Sequence, residues 1–260
     1  MIRNPLILAA SILASLALLG ACAHEPSTQG TPSYVAAALA DANRPDADKQ
    51  RDADRKPAET LEFAGVHPGE KIGELIPGGG YFTRLFSTAV GPQGHVYALV
   101  PPRPANAPAD APDRAAAIKA IAANPSYSNV SVVEMSLAKL ATPEPVDLIF
   151  TAQNYHDLHN IPVLNIATFN KAIYDTLKPG GYFVVLDHSA EAGSGLRDTN
   201  TLHRIDAAAV KTEVMAAGFE FVSSSDALAN SADPRTAKVF DPSIRGKTDQ
   251  FILKFRKPKK

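Results

Sequence analysis

Lys71-Ile-Gly-Glu-Leu-Ile-Pro-Gly-Gly-Gly-Tyr-Phe-Thr-Arg84 decides the fold. An apolar run carrying one carboxylate, Glu74, leads into three consecutive glycines. A segment with Phe82, Leu85, Phe86 and Ala89 on one helical face follows. The pattern is a strand, a turn without side chains, and a helix. Glycines in such a turn accept positive φ and let a ligand approach the backbone. The first-turn amides of the next helix point at the same spot. α/β folds hold nucleotide-like groups on units of this kind. Spacing excludes two of them. A phosphate-binding loop needs a Gly-Lys-Ser/Thr ending, and a dinucleotide fingerprint needs a glycine where Thr83 stands.

On either side of this unit, strand and helix patterns alternate. Helices are expected over 57–64, 81–90, 114–123, 163–177 and 206–217, the last capped by Asp206 and stopped by Gly218. Strands are expected over 71–76, 95–100, 129–134, 146–152 and 182–187, with a closing pair at 219–223 and 250–255. Residues 101–113, dense in Pro and Ala, read as a long loop. This order predicts an α/β chain: a Rossmann-like, doubly wound seven-stranded sheet, mostly parallel with an antiparallel last strand.

The N-terminus reads as targeting. Arg3 precedes an apolar run, Pro5 to Gly20, that is too short for a typical membrane span. The run ends Leu19-Gly20-Ala21-Cys22, which resembles a bacterial lipobox. The resemblance implies a signal peptide over 1–21, cleavage before Cys22 and lipid on that cysteine. Ala23 then points to the outer membrane and its periplasmic face. The plain alternative is a secretory signal cut near Ala21 or Ala23. Residues 22–49, rich in Pro, Ala, Ser, Thr and Asp, read as a flexible tether with a weak helix around 34–42, and 50–260 as the domain. Cys22 is the only cysteine, so the mature chain has no disulfide, catalytic thiol or thiolate metal site. Net charge is −1, and basic residues are scattered except in the tail 254–260. Nothing points to a nucleic-acid partner.

Glu74-Leu-Ile-Pro-Gly-Gly-Gly80 resembles motif I of the class I S-adenosylmethionine-dependent methyltransferases. Val146-Asp-Leu-Ile-Phe-Thr-Ala-Gln-Asn154 resembles their strand-four motif, and Leu177-Lys-Pro-Gly-Gly-Tyr-Phe-Val-Val-Leu186 the entry to strand five. Ala217-Gly-Phe219 after a helix continues the pattern. Asn154-Tyr-His-Asp-Leu158, His203-Arg-Ile-Asp206 and Arg245-Gly-Lys-Thr-Asp-Gln-Phe251 are similar to a group of exported bacterial predicted methyltransferases. The resemblance implies S-adenosylmethionine as cofactor and methyl transfer to a small-molecule or envelope acceptor. Glu74, Gly78, Gly79, Gly80, Val100 and Asn154 are the implied cofactor-binding residues. Two positions depart from the family. Ile76 stands at the first motif-I glycine, and Val100 stands where an acidic residue accepts from the ribose hydroxyls. Loss of one charged hydrogen-bond acceptor weakens binding by about 1.5–3 kcal/mol, or roughly ten- to a hundred-fold. Asp110 and Asp113 are the nearby substitutes.

Ligands in open α/β sheets sit beyond the carboxyl ends of the strands. His156, with Asp157, directly follows strand four and is the first choice for a general base; His188, after strand five, is the second. Asn154 and Tyr155 are expected to orient the acceptor or cofactor, and Arg204 to hold an anionic substrate. The structural alternatives are a helix cap at His156-Asp157, a strand end at Asp187-His188 and a surface turn at His203-Arg204. His156, His159, His188 and His203 match no compact metal-ligand spacing, so no metal is expected. Two further functional readings stand beside methyl transfer. One is a non-catalytic periplasmic ligand-binding protein on the same fold; the other is a different α/β enzyme using the two histidines as acid and base.

Overall fold

The structure, a computed structural model, describes Met1 and residues 30–103, 107–108, 110–135 and 140–260. The signal-peptide reading and Cys22 lie outside the described residues. Residues from Thr31 to Lys260 make one compact unit. Among the described residues, no helix is long and apolar enough to cross a membrane.

Seven strands form one sheet in the order β3-β2-β1-β4-β5-β7-β6. They are β1 (Lys71–Leu75), β2 (His95–Val100), β3 (Val130–Glu134), β4 (Val146–Ala152), β5 (Leu177–His188), β6 (Glu220–Ser225) and β7 (Gln250–Arg256). The first five run parallel, and β7 is antiparallel to both β5 and β6. This is the expected doubly wound sheet. Strand order reverses between β1 and β4, so their carboxyl ends border the crevice where such sheets take ligands.

Alternation along each strand splits the core into two layers. Ile72, Val96, Ala98, Leu148 and Phe150 face one side, with Leu85 and Phe86 of α5 (Tyr81–Val90) and Leu61 of α4 (Pro57–Ala64). Leu75, Leu99, Ile149, Phe183 and Val185 face the other, with Phe169 and Ile173 of α8 (Ile166–Thr176) and Val210 and Val214 of α9 (Ala207–Ala216). The cap predicted at Asp206 is present: its side chain accepts from the Ala208 amide.

Two elements differ from the sequence reading. β5 begins at Leu177 rather than at 182. The Lys178-Pro-Gly-Gly181 turn stays on the sheet because Gly180 takes φ +83° and a Cβ on Gly181 would lie 2.9 Å from the Asp147 carbonyl. The irregularity is absorbed as a register shift between Val146 and Leu148. The larger correction concerns the tether. From Ser33 onward the segment belongs to the domain. Helix α1 (Ser33–Ala40) buries Val35 and Ala38 completely, in the same layer as α5. Arg44, also buried, makes a two-pronged pair with Asp52 (2.9 and 2.6 Å) and donates to the Leu39 carbonyl (2.9 Å). Asp48 of α2 (Asp46–Lys49) pairs with Arg84 at 2.9 Å. The sequence hid this because α1 is short and almost uniformly apolar, with no polar stripe to mark a buried face. The rest of the segment is anchored by ion pairs, which leave no periodicity.

Candidate functional site

The chain leaves β1 and β4 through strained backbone. Ile76 has φ +51° and Gln153 φ +61°, beside Gly78 at +59° and Gly80 at +80°. A β-branched residue held in the left-handed region costs on the order of 1–3 kcal/mol, and such strain gathers at functional sites. Ile76 thus adopts, at a cost, the conformation a glycine takes freely. Its amide still donates to the Leu99 carbonyl (2.9 Å), and Asn154 Nδ2 donates to the Ile76 carbonyl (3.1 Å), tying the two strand exits together. Arg84 Nη1 donates to the carbonyls of Gly79 and Gly80, both at 3.1 Å, and so closes the turn.

Two cavities flank this turn and share Ile76, Pro77 and Gly78 as a wall. The smaller, of about 210 Å³, is lined by Asp48, Arg51, Arg55, Glu74, Gly79, Tyr81 and Asn154 among others. It is the polar one. Arg55, at the end of α3 (Asp52–Arg55), donates to Gln153 Oε1 (2.7 Å) and lies 4.6 Å from the centre of the Tyr81 ring. Tyr81 in turn donates to Asp52 (2.7 Å). Asp48, from the segment read as a tether, thus lines the site beside Arg51 and Arg55. No sequence signal marked Arg51, Arg55 or Asp48 as site residues.

Glu74 is buried at the floor, where it accepts from the Thr83 hydroxyl (2.5 Å). Burial pushes its carboxyl from the ordinary 4.5 up to about 8, against the pull of Thr83, Arg55 and Arg84. Here an acid's folded-state pKa lies above its unfolded value. The native state keeps a proton that the unfolded chain releases, so stability falls as pH rises from about 4.5 to about 8. Glu74→Gln is expected to flatten that part of the melting-temperature profile and to melt above wild type at pH 8.5. Parallel profiles for the two proteins would contradict it.

The larger cavity, of about 670 Å³, is lined by Val100, Ile118, Lys119, Asp113, Arg103 and Glu134 among others. Val100 is the β2 residue expected to have replaced an acid. Its register partner on the neighbouring strand is Glu134, the last residue of β3. A carboxylate missing from β2 is thus offered one strand over, facing the same cavity. Of the two substitutes suggested by the sequence, Asp113 also lines this cavity, but Lys119 Nζ (2.9 Å) and the Ala115 amide (2.9 Å) occupy its carboxylate. Glu134 escaped notice because strand pairing, not sequence distance, brings it to Val100.

The expected catalytic histidines lie elsewhere. His156, on the short helix α7 (Tyr155–Leu158), is buried. Its Nδ1 sits 2.8 Å from Asp187 Oδ1 and its backbone N–H donates to Asp187 Oδ2 (2.8 Å). Its Nε2 sits 3.2 Å from Asp157 Oδ1. Burial opposes the charge, but Asp187 and Asp157 outweigh it and push the imidazole up to about 10. His188, whose Nδ1 lies 2.7 Å from Thr248 Oγ1, is pushed by burial down to about 4 despite Asp187. At neutral pH one ring is charged and the other neutral. Neither pKa suits a general base working near pH 7, and neither ring borders either cavity.

Tyr155 and Arg204 are corrected outright as substrate contacts. Tyr155 is fully buried, donating to Glu213 (3.1 Å) and accepting from Asn170 (2.8 Å). Arg204 is fully buried in a two-pronged pair with Asp233 (2.8 and 3.1 Å), and its other donors reach the Ala237 and Ser189 carbonyls. Its guanidinium is spent inside the protein.

No family model matches the chain, and no curated protein matches it by sequence. Solved structures do match. A SAM-dependent methyltransferase from Aquifex aeolicus superposes with a TM-score of 0.56 at 18% identity, covering 82% of this chain and 95% of its own. The glycopeptide N-methyltransferase MtfA, solved with sinefungin, gives 0.54 at 14% identity over 80% and 86% of the two chains. The [4+2]-cyclase SpnF gives 0.56 at 18% identity over 80% and 82%. At these identities the likeness establishes the fold, that of the class I methyltransferases.

Proposed function

We propose that the crevice binds S-adenosylmethionine and that the protein transfers its methyl group to a small-molecule or envelope acceptor. The observation that carries this reading is the glycine turn standing between two unlike cavities. A Cβ on Gly78 or Gly79 would meet nothing within 4 Å, so the turn opens onto space that a ligand can fill. The polar cavity, with Arg51, Arg55, Asp48 and Glu74, suits a zwitterionic amino-acid end. The larger cavity, with Val100 and Ile118 beside Glu134, suits a nucleoside with hydroxyls to be accepted. The bound cofactor supplies an electrophilic methyl on a sulfonium. The chain's part is to hold the two ends, align an acceptor and exclude water. With both candidate histidines away from the cavities, the acceptor is one that needs no histidine base, such as an amine or a preformed anion.

Calorimetry of the domain with S-adenosylmethionine tests the reading. Micromolar binding is expected. Glu134→Gln is expected to weaken it by roughly ten- to a hundred-fold, the worth of one charged hydrogen bond of about 1.5–3 kcal/mol. Equal affinity for the variant removes Glu134 from the site, and no binding at millimolar ligand removes the cofactor. The displaced histidines favour a second reading, a ligand-binding protein on this fold. Binding without formation of S-adenosylhomocysteine across a panel of acceptors would select it.

We infer in addition, from Leu19-Gly20-Ala21-Cys22, that the domain is exported and lipid-anchored at Cys22 in the outer membrane. In fractionated cells, Cys22→Ser is expected to move the full-length protein from the membrane to the soluble fraction. Unchanged partitioning would overturn the anchor.

A further inference from the structure

We propose that His156, Asp157 and His203 form a site for one divalent transition-metal ion of the zinc class. Their ligand atoms all lie within 4.8 Å of one another. His156 Nε2 and His203 Nδ1 each stand 3.2 Å from the same oxygen, Asp157 Oδ1. Ligand atoms bonded to one ion at about 2.0–2.2 Å stand roughly 3.0–3.5 Å apart, so these two contacts already have the spacing of a shared centre. Two imidazoles and one carboxylate are a donor set that borderline ions of the first transition row prefer over magnesium or calcium.

The surroundings are those of a held ligand set. The far nitrogen of His156 is fixed by Asp187, whose side chain is wholly buried, at 2.8 Å. That carboxylate–imidazole pair sets the ring's orientation and leaves Nε2 turned toward Asp157, as the outer contacts of metal-bound histidines do, and an incoming ion takes the place of the Nε2 proton, which leaves to solvent. His203 is kept at φ +56°, a conformation a non-glycine residue holds only when its surroundings impose it. Its ring packs edge-on against Phe240, with centres 4.9 Å apart. Exposure is graded across the trio: the His156 side chain is 3% exposed, His203 27% and Asp157 48%. One side of the site is therefore protein and the other faces solvent, which leaves room for water or an outside ligand to complete the coordination.

Asp157 and His203 lie 46 positions apart in the chain, so no short spacing could have announced the trio. The site stands at the carboxyl end of β4, two residues beyond Asn154 on the cleft wall, and it does not depend on the cofactor reading.

The test uses untagged protein stripped with a chelator. Titration with Zn²⁺ is expected to show one site of micromolar or tighter affinity and to raise the melting temperature. Co²⁺ is expected to give visible d–d absorption bands. His203→Ala and Asp157→Asn, at partly exposed positions, are expected to weaken Zn²⁺ at least ten-fold with the metal-free melting temperature near that of wild type. His203→Gln replaces the alanine variant if that one does not fold. A wild-type protein that takes up no Zn²⁺ at millimolar ion overturns the proposal. So does affinity unchanged in both variants, since the ion then sits elsewhere.

Discussion

Gly79→Leu is expected to abolish S-adenosylmethionine binding, with a loss of at least a hundred-fold by calorimetry, while the protein melts within a few degrees of wild type. Gly79 is the one glycine of the turn without positive φ, and a Cβ built on it meets nothing within 4 Å. It lines the polar cavity, so a leucine there occupies ligand space and spares the fold. Its neighbour makes the control. Gly80 sits at φ +80°, caps α5, and would place a Cβ 2.1 Å from Ile121 Cδ1. Gly80→Leu is therefore expected to lower stability first, by about 2 kcal/mol or more, from left-handed strain together with forced movement of Ile121. Wild-type affinity in a folded Gly79→Leu protein would show that the ligand does not lie against the turn.

Arg204→Met is expected to cost about 3–5 kcal/mol of stability, because it leaves Asp233 buried and charged without its partner. For a domain of this size that corresponds to a fall in melting temperature of roughly 6–20 °C. Asp233→Asn is expected to act in the same direction. Ligand affinity measured below the new melting temperature should change little, since the guanidinium faces neither cavity. The opposite pattern, stable protein with lost acceptor affinity, would restore Arg204 as the substrate clamp its sequence context suggested.

These two positions show what could be read in advance. Gly78, Gly79 and Gly80 were legible because their signal is local: a strand, three glycines and an amphipathic helix within the twenty residues from Lys71 to Val90. The same holds for the other strands and helices, whose periodicities run along the chain. Their alternation along the chain announces a mostly parallel sheet covered on both faces. Arg204 was misread because an arginine near a histidine in a loop looks the same in sequence whether it faces solvent or an aspartate twenty-nine residues on. Tyr155 was misread for a related reason. Its position one residue past the cleft wall is set by sequence, but the direction of its ring is set by the turn of α7, which sends it into the core against Asn170.

By itself the sequence determined the doubly wound sheet, the place of the glycine turn, the absent acid at Val100 and the expectation of an exported chain. Each rests on neighbours along the backbone, where pattern and chemistry are read together. Only the tertiary structure decided which side chains reach the crevice. It packed residues 33–49 onto the domain and brought Asp48 to a cavity wall, set Glu134 beside Val100 through parallel pairing, buried His156 between two carboxylates and brought His203 to Asp157. Strand register and helix direction act across distances that carry no periodicity. Burial, which alone separates a catalytic charge from a structural one, is a property of the packed chain.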